Sequence, residues 1–126
     1  MEYLTVHDVL AIHADQIARY GGDDGIRDAG LLDAAVAMPL ASFDGVLLHA
    51  DAFAAAAAYL YHLVQNHPFV DGNKRAGTAA ALTFLDLNGI EIDVLDDELV
   101  ELVVAVASGA ATKADVAATF RGRARA

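Results

Sequence analysis

Apolar and polar positions repeat with a helical period along the first third of the chain, and the pattern predicts two helices. The first helix begins after Thr5, whose side chain can cap it, and ends at the glycines that follow Tyr20. Its inward face consists of Val6, Val9, Leu10, Ile12, His13 and Ile17. The second is predicted over residues 29–38, between Asp28 as its N-cap and Pro39, because the residue before a proline disfavours the helical conformation.

Two longer helices are predicted in the middle of the chain. The third opens at Asp51 and is rich in alanine as far as Gln65, before Pro68 ends it. The fourth is predicted over residues 73–87 and closes at Asn88 with the glycine that follows it. Its residues are small or apolar on nearly every side, which predicts a central and buried position.

Two short segments carry extended or turn patterns. Within residues 40–48, Asp44 and Gly45 stand between apolar residues, a pattern that favours a tight turn in a small hairpin or flap. Residues 90–94 alternate between apolar and polar, so we expect one short extended segment there.

The last third of the chain predicts two further helices. The fifth is expected over residues 98–107 with Asp96 or Asp97 as its cap, and the sixth runs from Thr112 to about Phe120. The predicted fold class is therefore all-α, a compact single-domain bundle of about six helices.

Length and composition narrow the class of protein. The 126 residues form one domain, 1–126, and 56% hydrophobic residues are enough to fill one core. The most apolar run, residues 53–64, is too short to span a membrane, and the N-terminus lacks the basic and apolar regions of a signal peptide. The absence of cysteine excludes disulfides and thiolate metal sites. We expect a cytoplasmic protein with no membrane partner.

The net charge of −10 argues against direct binding to nucleic acid, because an acidic surface repels phosphate backbones. Only four basic residues precede residue 113, and two of them, Lys74 and Arg75, are adjacent. Three arginines lie at positions 121–125, a tail that we predict to be a frayed end.

The stretch HPFVDGNKRAG, residues 67–77, gathers polar residues at the start of the fourth helix. The first N–H groups of a helix lack intrahelical partners and carry the positive end of its dipole, which favours an anion. Gly72 allows the backbone to approach a ligand closely, and Lys74 and Arg75 add two positive charges. These features predict a phosphate-binding site.

Two further residues of the stretch extend this chemistry. Asp71 repels a bare phosphate but suits a Mg²⁺ ion held between its carboxylate and the phosphates. His67 has a side chain that can accept a proton from a hydroxyl near neutral pH. Together they predict transfer from a nucleotide to a hydroxyl. Each residue taken singly also fits an ordinary loop, helix cap or solvated first turn, and a zinc pair of His62 with His67 lacks the helical spacing.

The stretch resembles the motif of the Fic/Doc family, H-P-F-x-x-G-N-G-R-x-x-R. It matches at His67, Pro68, Phe69, Gly72, Asn73 and Arg75. Lys74 replaces the glycine and Thr78 replaces the second arginine, and both departures match the Doc (death-on-curing) branch, whose pattern is H-x-F-x-(D/N)-(A/G)-N-K-R. The segments IARYGG at 17–22, GIRD at 25–28 and FLDLNG at 84–89 are also similar to Doc toxins.

The resemblance implies the Fic/Doc fold and a toxin that phosphorylates a threonine of elongation factor Tu with ATP and so arrests translation. It implies His67 as the base, Asp71 as a Mg²⁺ ligand, and a phosphate cradle of Gly72, Asn73, Lys74 and Arg75. Phe69 would anchor the loop in the core, and the flap would align the target segment. The alternatives are a Fic-type transferase of AMP and a non-catalytic scaffold that binds its antitoxin.

The resemblance also implies a protein partner. Many Fic proteins carry an inhibitory helix with the pattern S/T-x-x-x-E, and no glutamate here follows a serine or threonine by four positions. We therefore expect inhibition by a separate Phd-like antitoxin, which binds through a flexible C-terminal segment that folds as a helix into a groove.

Overall fold

The chain folds into a helical bundle, of which a computed structural model describes residues 1–125. The α-helices in that range are α1 (Val6–Tyr20), α2 (Ala29–Ala37), α3 (Ala52–Asn66), α4 (Asn73–Leu87), α5 (Asp96–Ser108) and α6 (Lys113–Gly122). A 3₁₀ turn, Met38–Leu40, and an antiparallel hairpin of β1 (Ser42–Phe43) and β2 (Val46–Leu47) connect α2 to α3. The predicted all-α bundle of about six helices, with its flap hairpin, is confirmed.

Side-chain caps begin four helices where the sequence predicts them. Thr5 and Thr112 each accept a hydrogen bond from the backbone N–H three residues later and form capping boxes. Asp28 and Asp51 make the same kind of bond to the N–H groups of Leu31 and Ala54. These starts are confirmed because a cap depends only on residues within one turn.

Helix α5 starts differently from its prediction. It begins at Asp96, and its N-cap is Leu95, which makes no side-chain hydrogen bond. The prediction of Asp96 or Asp97 as the cap is therefore wrong. Both aspartates lie instead inside the first turn, where their charges favour the positive end of the helix dipole.

The C-terminal arginines are ordered, so the prediction of a frayed tail is wrong. The tail pairs with the extended segment that precedes α5, through bonds from the Asp93 N–H to the Arg123 carbonyl (2.8 Å) and from the Arg125 N–H to the Glu91 carbonyl (2.9 Å). The guanidinium of Arg123 also lies 2.6 Å from the carboxylate of Glu98. This pairing confirms the predicted extended segment and orders the tail that the sequence alone leaves free.

Helix α3 is the most central helix, while α4, predicted to be central and buried, buries one face against it and exposes another. It packs against α2, α4, α5 and α6, whereas α4 leaves Thr83 and Leu87 exposed. Helices α3 and α4 approach closely at Gly77, where an added Cβ would lie 3.1 Å from the backbone oxygen of Leu60. In residues 1–125, no helix has both the length and the apolar character that crossing a membrane requires.

Candidate active site

His67 is the residue that ends α3, and its backbone is left-handed, with φ 51° and ψ 54°. This conformation is strained for a residue other than glycine, so it needs support from its surroundings. Arg27 gives that support: its Nε donates to the His67 carbonyl at 2.6 Å and its Nη2 to the Asn66 carbonyl at 2.9 Å. The imidazole of His67 is exposed and therefore accessible to a substrate.

The loop after His67 is paired with the segment before α2. The N–H groups of Arg27 and Asp28 donate to the Pro68 carbonyl at 2.7 and 3.0 Å, and the Val70 N–H donates to the Gly25 carbonyl at 2.9 Å. The sequence did not reveal this role of Arg27. Its only signal is the resemblance of the turn at 25–28 to Doc toxins, because the residues that it contacts lie about forty positions away.

Asn73, the first residue of α4, has a buried side chain that holds the motif loop, residues 68–72, through two hydrogen bonds. Its side-chain oxygen accepts the Phe69 N–H and its amide nitrogen donates to the Phe69 carbonyl, both at 2.9 Å. Asn73 is 5% exposed and Phe69 is fully buried, which confirms Phe69 as a core anchor. Because the Asn73 amide is committed to the loop, only its backbone N–H is available to an anion.

The N-terminus of α4 is open to a ligand. Gly72, its N-cap, is left-handed with φ 79° and provides no side-chain cap, so the N–H groups of the first turn keep their donor capacity. A Cβ at Gly72 would lie 3.1 Å from Ile17 Cδ1, so a larger side chain there would crowd α1. Lys74 is exposed beside this terminus. Gly72, the Asn73 N–H and Lys74 thus form the positive end of the site.

Arg75 is turned toward the end of α1 rather than into solvent. Its Nη2 donates to the Gly21 carbonyl at 3.0 Å, its Nη1 lies 3.5 Å from the Gln16 carbonyl, and its guanidinium carbon lies 5.7 Å from the centre of the Tyr20 ring. Arg75 therefore contributes its charge next to the helix terminus while it holds α1 against α4.

Asp71 lies exposed just before Gly72 and is held at two atoms. Its Oδ2 accepts the Asp23 N–H at 2.9 Å, and its carbonyl oxygen lies 2.8 Å from His13 Nε2. Among residues 1–125, no three side chains of the types that commonly ligate metals converge on one point. A single carboxylate beside a helix terminus that favours anions suits Mg²⁺, which takes few protein ligands and completes its shell with phosphate oxygens and water.

The histidines outside the motif differ in their exposure. His7 is exposed, whereas His13 and His49 are buried. His62 Nε2 lies 3.0 Å from the ammonium nitrogen of Lys113, so His62 is part of the packing between α3 and α6.

A groove of about 600 Å³ adjoins the positive end of the site, between α1, α4 and α5. We call it the α1–α4–α5 groove. The residues that line it include Tyr20, Lys74, Arg75, Leu82, Val100 and Val104. Val100 and Val104 are 61% and 50% exposed, which gives the groove an apolar wall. A second cavity of about 510 Å³ lies between α5 and α6, and no residue of the motif lines it.

The sequence is similar to proteins of one known family. Residues 3–85 match the Fic/DOC family. The protein "Toxin Doc" of Mycolicibacterium smegmatis is 50% identical over 91 residues, which cover 72% of this chain and 68% of that protein. "Protein kinase doc" of Escherichia phage P1 is 34% identical over 124 residues, which cover 96% of this chain and 94% of that protein.

Proposed function

The chain belongs to the Fic/DOC family, in its Doc toxin branch, and on that premise we propose that it is an ATP-dependent protein kinase and the toxin of a type II toxin–antitoxin module. Its proposed substrate is a threonine hydroxyl of elongation factor Tu, and its action in the cytoplasm arrests translation. The observation that carries the proposal is the open N-terminus of α4, with Gly72 left-handed and Lys74 exposed beside it.

The proposed reaction moves one phosphoryl group. The imidazole of His67 accepts the proton of the threonine hydroxyl, whose oxygen forms a bond to the γ-phosphorus of ATP. The bond from that phosphorus to the β,γ-bridging oxygen breaks, and ADP leaves with the electron pair. The first-turn N–H groups of α4, with Lys74 and Arg75, bind and orient the phosphates. Asp71 would hold a Mg²⁺ ion, which supplies charge neutralisation of the phosphate oxygens.

Two positions favour transfer of phosphate over transfer of AMP. Lys74 fills space that glycine leaves open in Fic enzymes. Thr78 stands where those enzymes have a second arginine, and its hydroxyl donates to the Lys74 carbonyl at 2.8 Å. This end of α4 therefore lacks one of the arginines that bind the triphosphate in Fic enzymes. Its absence supports the opposite orientation of ATP, with the γ-phosphate facing the hydroxyl.

The flap hairpin supports the proposed protein substrate. Phe43 and Val46, which pair across β1 and β2, are 72% and 67% exposed. A two-stranded ribbon has free edges whose backbone groups can pair with an extended peptide. We propose that this edge aligns the threonine-bearing segment of the elongation factor.

The choice between kinase and AMP transferase is tested with ATP carrying a radioactive label at either the α- or the γ-phosphorus. Purified protein is incubated with elongation factor Tu and Mg²⁺, and label in the factor is measured. We expect label from the γ position only, and none with His67→Ala, whereas His7→Ala, a change at an exposed histidine, keeps the activity. Label from the α position alone would establish AMP transfer instead.

The α1–α4–α5 groove supports the proposed Phd-like antitoxin, because an apolar wall with two cations at one end suits an amphipathic helix with acidic residues. This antitoxin would bind through its C-terminal segment.

Expression without antitoxin separates catalysis from a non-catalytic scaffold. We expect growth arrest by the wild type and none by a folded His67→Ala variant that still binds the antitoxin. Equal arrest by both would favour the scaffold.

A further inference from the structure

His13 is a buried titratable residue that the proposed reaction does not use. It lies in the middle of α1 and is 2% exposed. Its ring stacks on Phe69, with 3.6 Å between ring centres and 5° between ring planes. Its Nε2 lies 2.8 Å from the carbonyl oxygen of Asp71. One side chain of α1 therefore contacts the motif loop at two points.

The hydrogen bond determines which ring nitrogen of His13 carries the proton. A carbonyl oxygen only accepts, so Nε2 of His13 carries the proton and donates it to Asp71. This contact makes His13 a specific donor at this position rather than an interchangeable aromatic residue of the core.

Two side chains thus hold the loop, one at each end. Asn73 fixes the main chain of Phe69, and His13 fixes the main chain of Asp71. His13 Nε2 also lies 3.6 Å from the point that a Cβ on Gly72 would occupy, so the imidazole lies against the start of α4. The Asp71 carboxylate extends from the backbone that His13 holds, and its Oδ2 also accepts the Asp23 N–H at 2.9 Å.

We propose that His13 is a positioning residue, which holds the Asp71 backbone so that the carboxylate faces a metal–nucleotide complex at the N-terminus of α4. The inference rests on the proposed function, since it assigns to Asp71 the role of Mg²⁺ ligand. Groups that orient a metal ligand without touching the metal typically change affinity by about 10- to 100-fold when they are removed.

Two substitutions at His13 separate donation from packing. His13→Phe keeps an aromatic ring against Phe69 but removes the donor, whereas His13→Gln keeps an N–H₂ donor and loses the stacking. Val9→Ala is the control for general destabilisation, because Val9 is fully buried in the same helix. Thermal unfolding shows that each variant is folded before binding is measured.

The first readout is binding of Mn²⁺, as a spectroscopic substitute for Mg²⁺, together with a non-hydrolysable ATP analogue, followed by electron paramagnetic resonance. We expect binding about ten-fold weaker in His13→Phe, partly restored in His13→Gln and unchanged in Val9→Ala. Wild-type binding by His13→Phe, or equal weakening by Val9→Ala, overturns the positioning role.

The second readout is amide hydrogen exchange at Phe69 and Val70, whose N–H groups are hydrogen bonded within the loop, in the protein without ligand. We expect faster exchange there in His13→Phe than in Val9→Ala, since only the former frees the Asp71 carbonyl. Equal protection in both variants overturns the inference. If the wild type binds no Mn²⁺ and nucleotide, the proposed function fails, and the exchange result still decides whether His13 positions the loop.

Discussion

The stability of this protein should fall in mild acid because of His62, a residue of α3 packed against α6. Its Nε2 lies 3.0 Å from the ammonium nitrogen of Lys113, which only donates, so His62 accepts and is neutral. Burial, the nearby charge of Lys113 and the neighbouring His49 lower the pKa of His62 from 6.5 to about 4. Burial also lowers the pKa values of His49 and Lys113.

The direction of the effect follows from proton binding. Between pH 6.5 and about 4 the unfolded chain binds a proton at His62 that the folded chain does not bind. The free energy of unfolding therefore decreases as pH falls through this window and is unaffected by His62 well above it. At about 1.4 kcal/mol for each pH unit, the upper limit is about 3 kcal/mol. Because the ring is partly exposed, solvent screening reduces this to about 1–2 kcal/mol.

Urea unfolding at pH 7.5, 6 and 5 measures the effect. The informative variant is His62→Gln, whose side-chain oxygen still accepts from Lys113 but does not titrate. Because pH 5 lies part-way through this window, we expect the wild type to lose about 1 kcal/mol more than His62→Gln between pH 7.5 and pH 5. His7→Gln is the matched control, since His7 is exposed on α1, and it should follow the wild-type curve.

Two results would refute this reasoning. Parallel stability curves for wild type and His62→Gln would show that His62 binds its proton equally in both states. A pKa near 6.5 for His62 in the folded protein, measured by NMR titration, would show that neither burial nor Lys113 disfavours its charged form.

Three further predictions concern how the helices and the motif loop are held. Gly77→Ala should destabilise the fold by about 1–3 kcal/mol in urea unfolding, because the added Cβ lies 3.1 Å from the α3 backbone. Gly30→Ala, at an exposed position of α2, should instead stabilise the fold by up to about 1 kcal/mol. Equal effects would refute the close contact. Asn73→Ala should lower stability by about 2–4 kcal/mol, since it leaves both backbone groups of Phe69 unpaired; a loss under about 0.5 kcal/mol would contradict this. Arg27→Ala should abolish most activity in the label-transfer assay, because it frees the strained end of α3, and a folded variant with full activity would count against that support.

The sequence by itself determined the features that depend on neighbouring residues. The helix starts at Thr5, Asp28, Asp51 and Thr112 follow from side chains that bond within one turn. The hairpin turn is equally local, because the residues at 44 and 45 tolerate positive φ. The motif at 67–77 is also contiguous, so the proposed chemistry of the site rests on residue types that the sequence alone displays.

The sequence left open how that motif is held, because its supports come from distant positions. Arg27 reaches the end of α3 across 40 positions, and His13 reaches Asp71 across 58. Neither contact has a local pattern, since each depends on how α1 and the segment before α2 pack against the loop. The same packing turned Arg75 onto α1, a direction that its place in the motif does not predict.

The C-terminal tail shows the same division between local and tertiary information. Three arginines near the end of an acidic chain look locally like a solvated end. In the fold, the end of α6 comes beside residues 91–93, and two backbone hydrogen bonds and the charge of Glu98 order the tail. Caps and turns depend on a few adjacent residues and are readable from sequence. Pairing between distant segments depends on the path of the whole chain, and only the tertiary structure decides it.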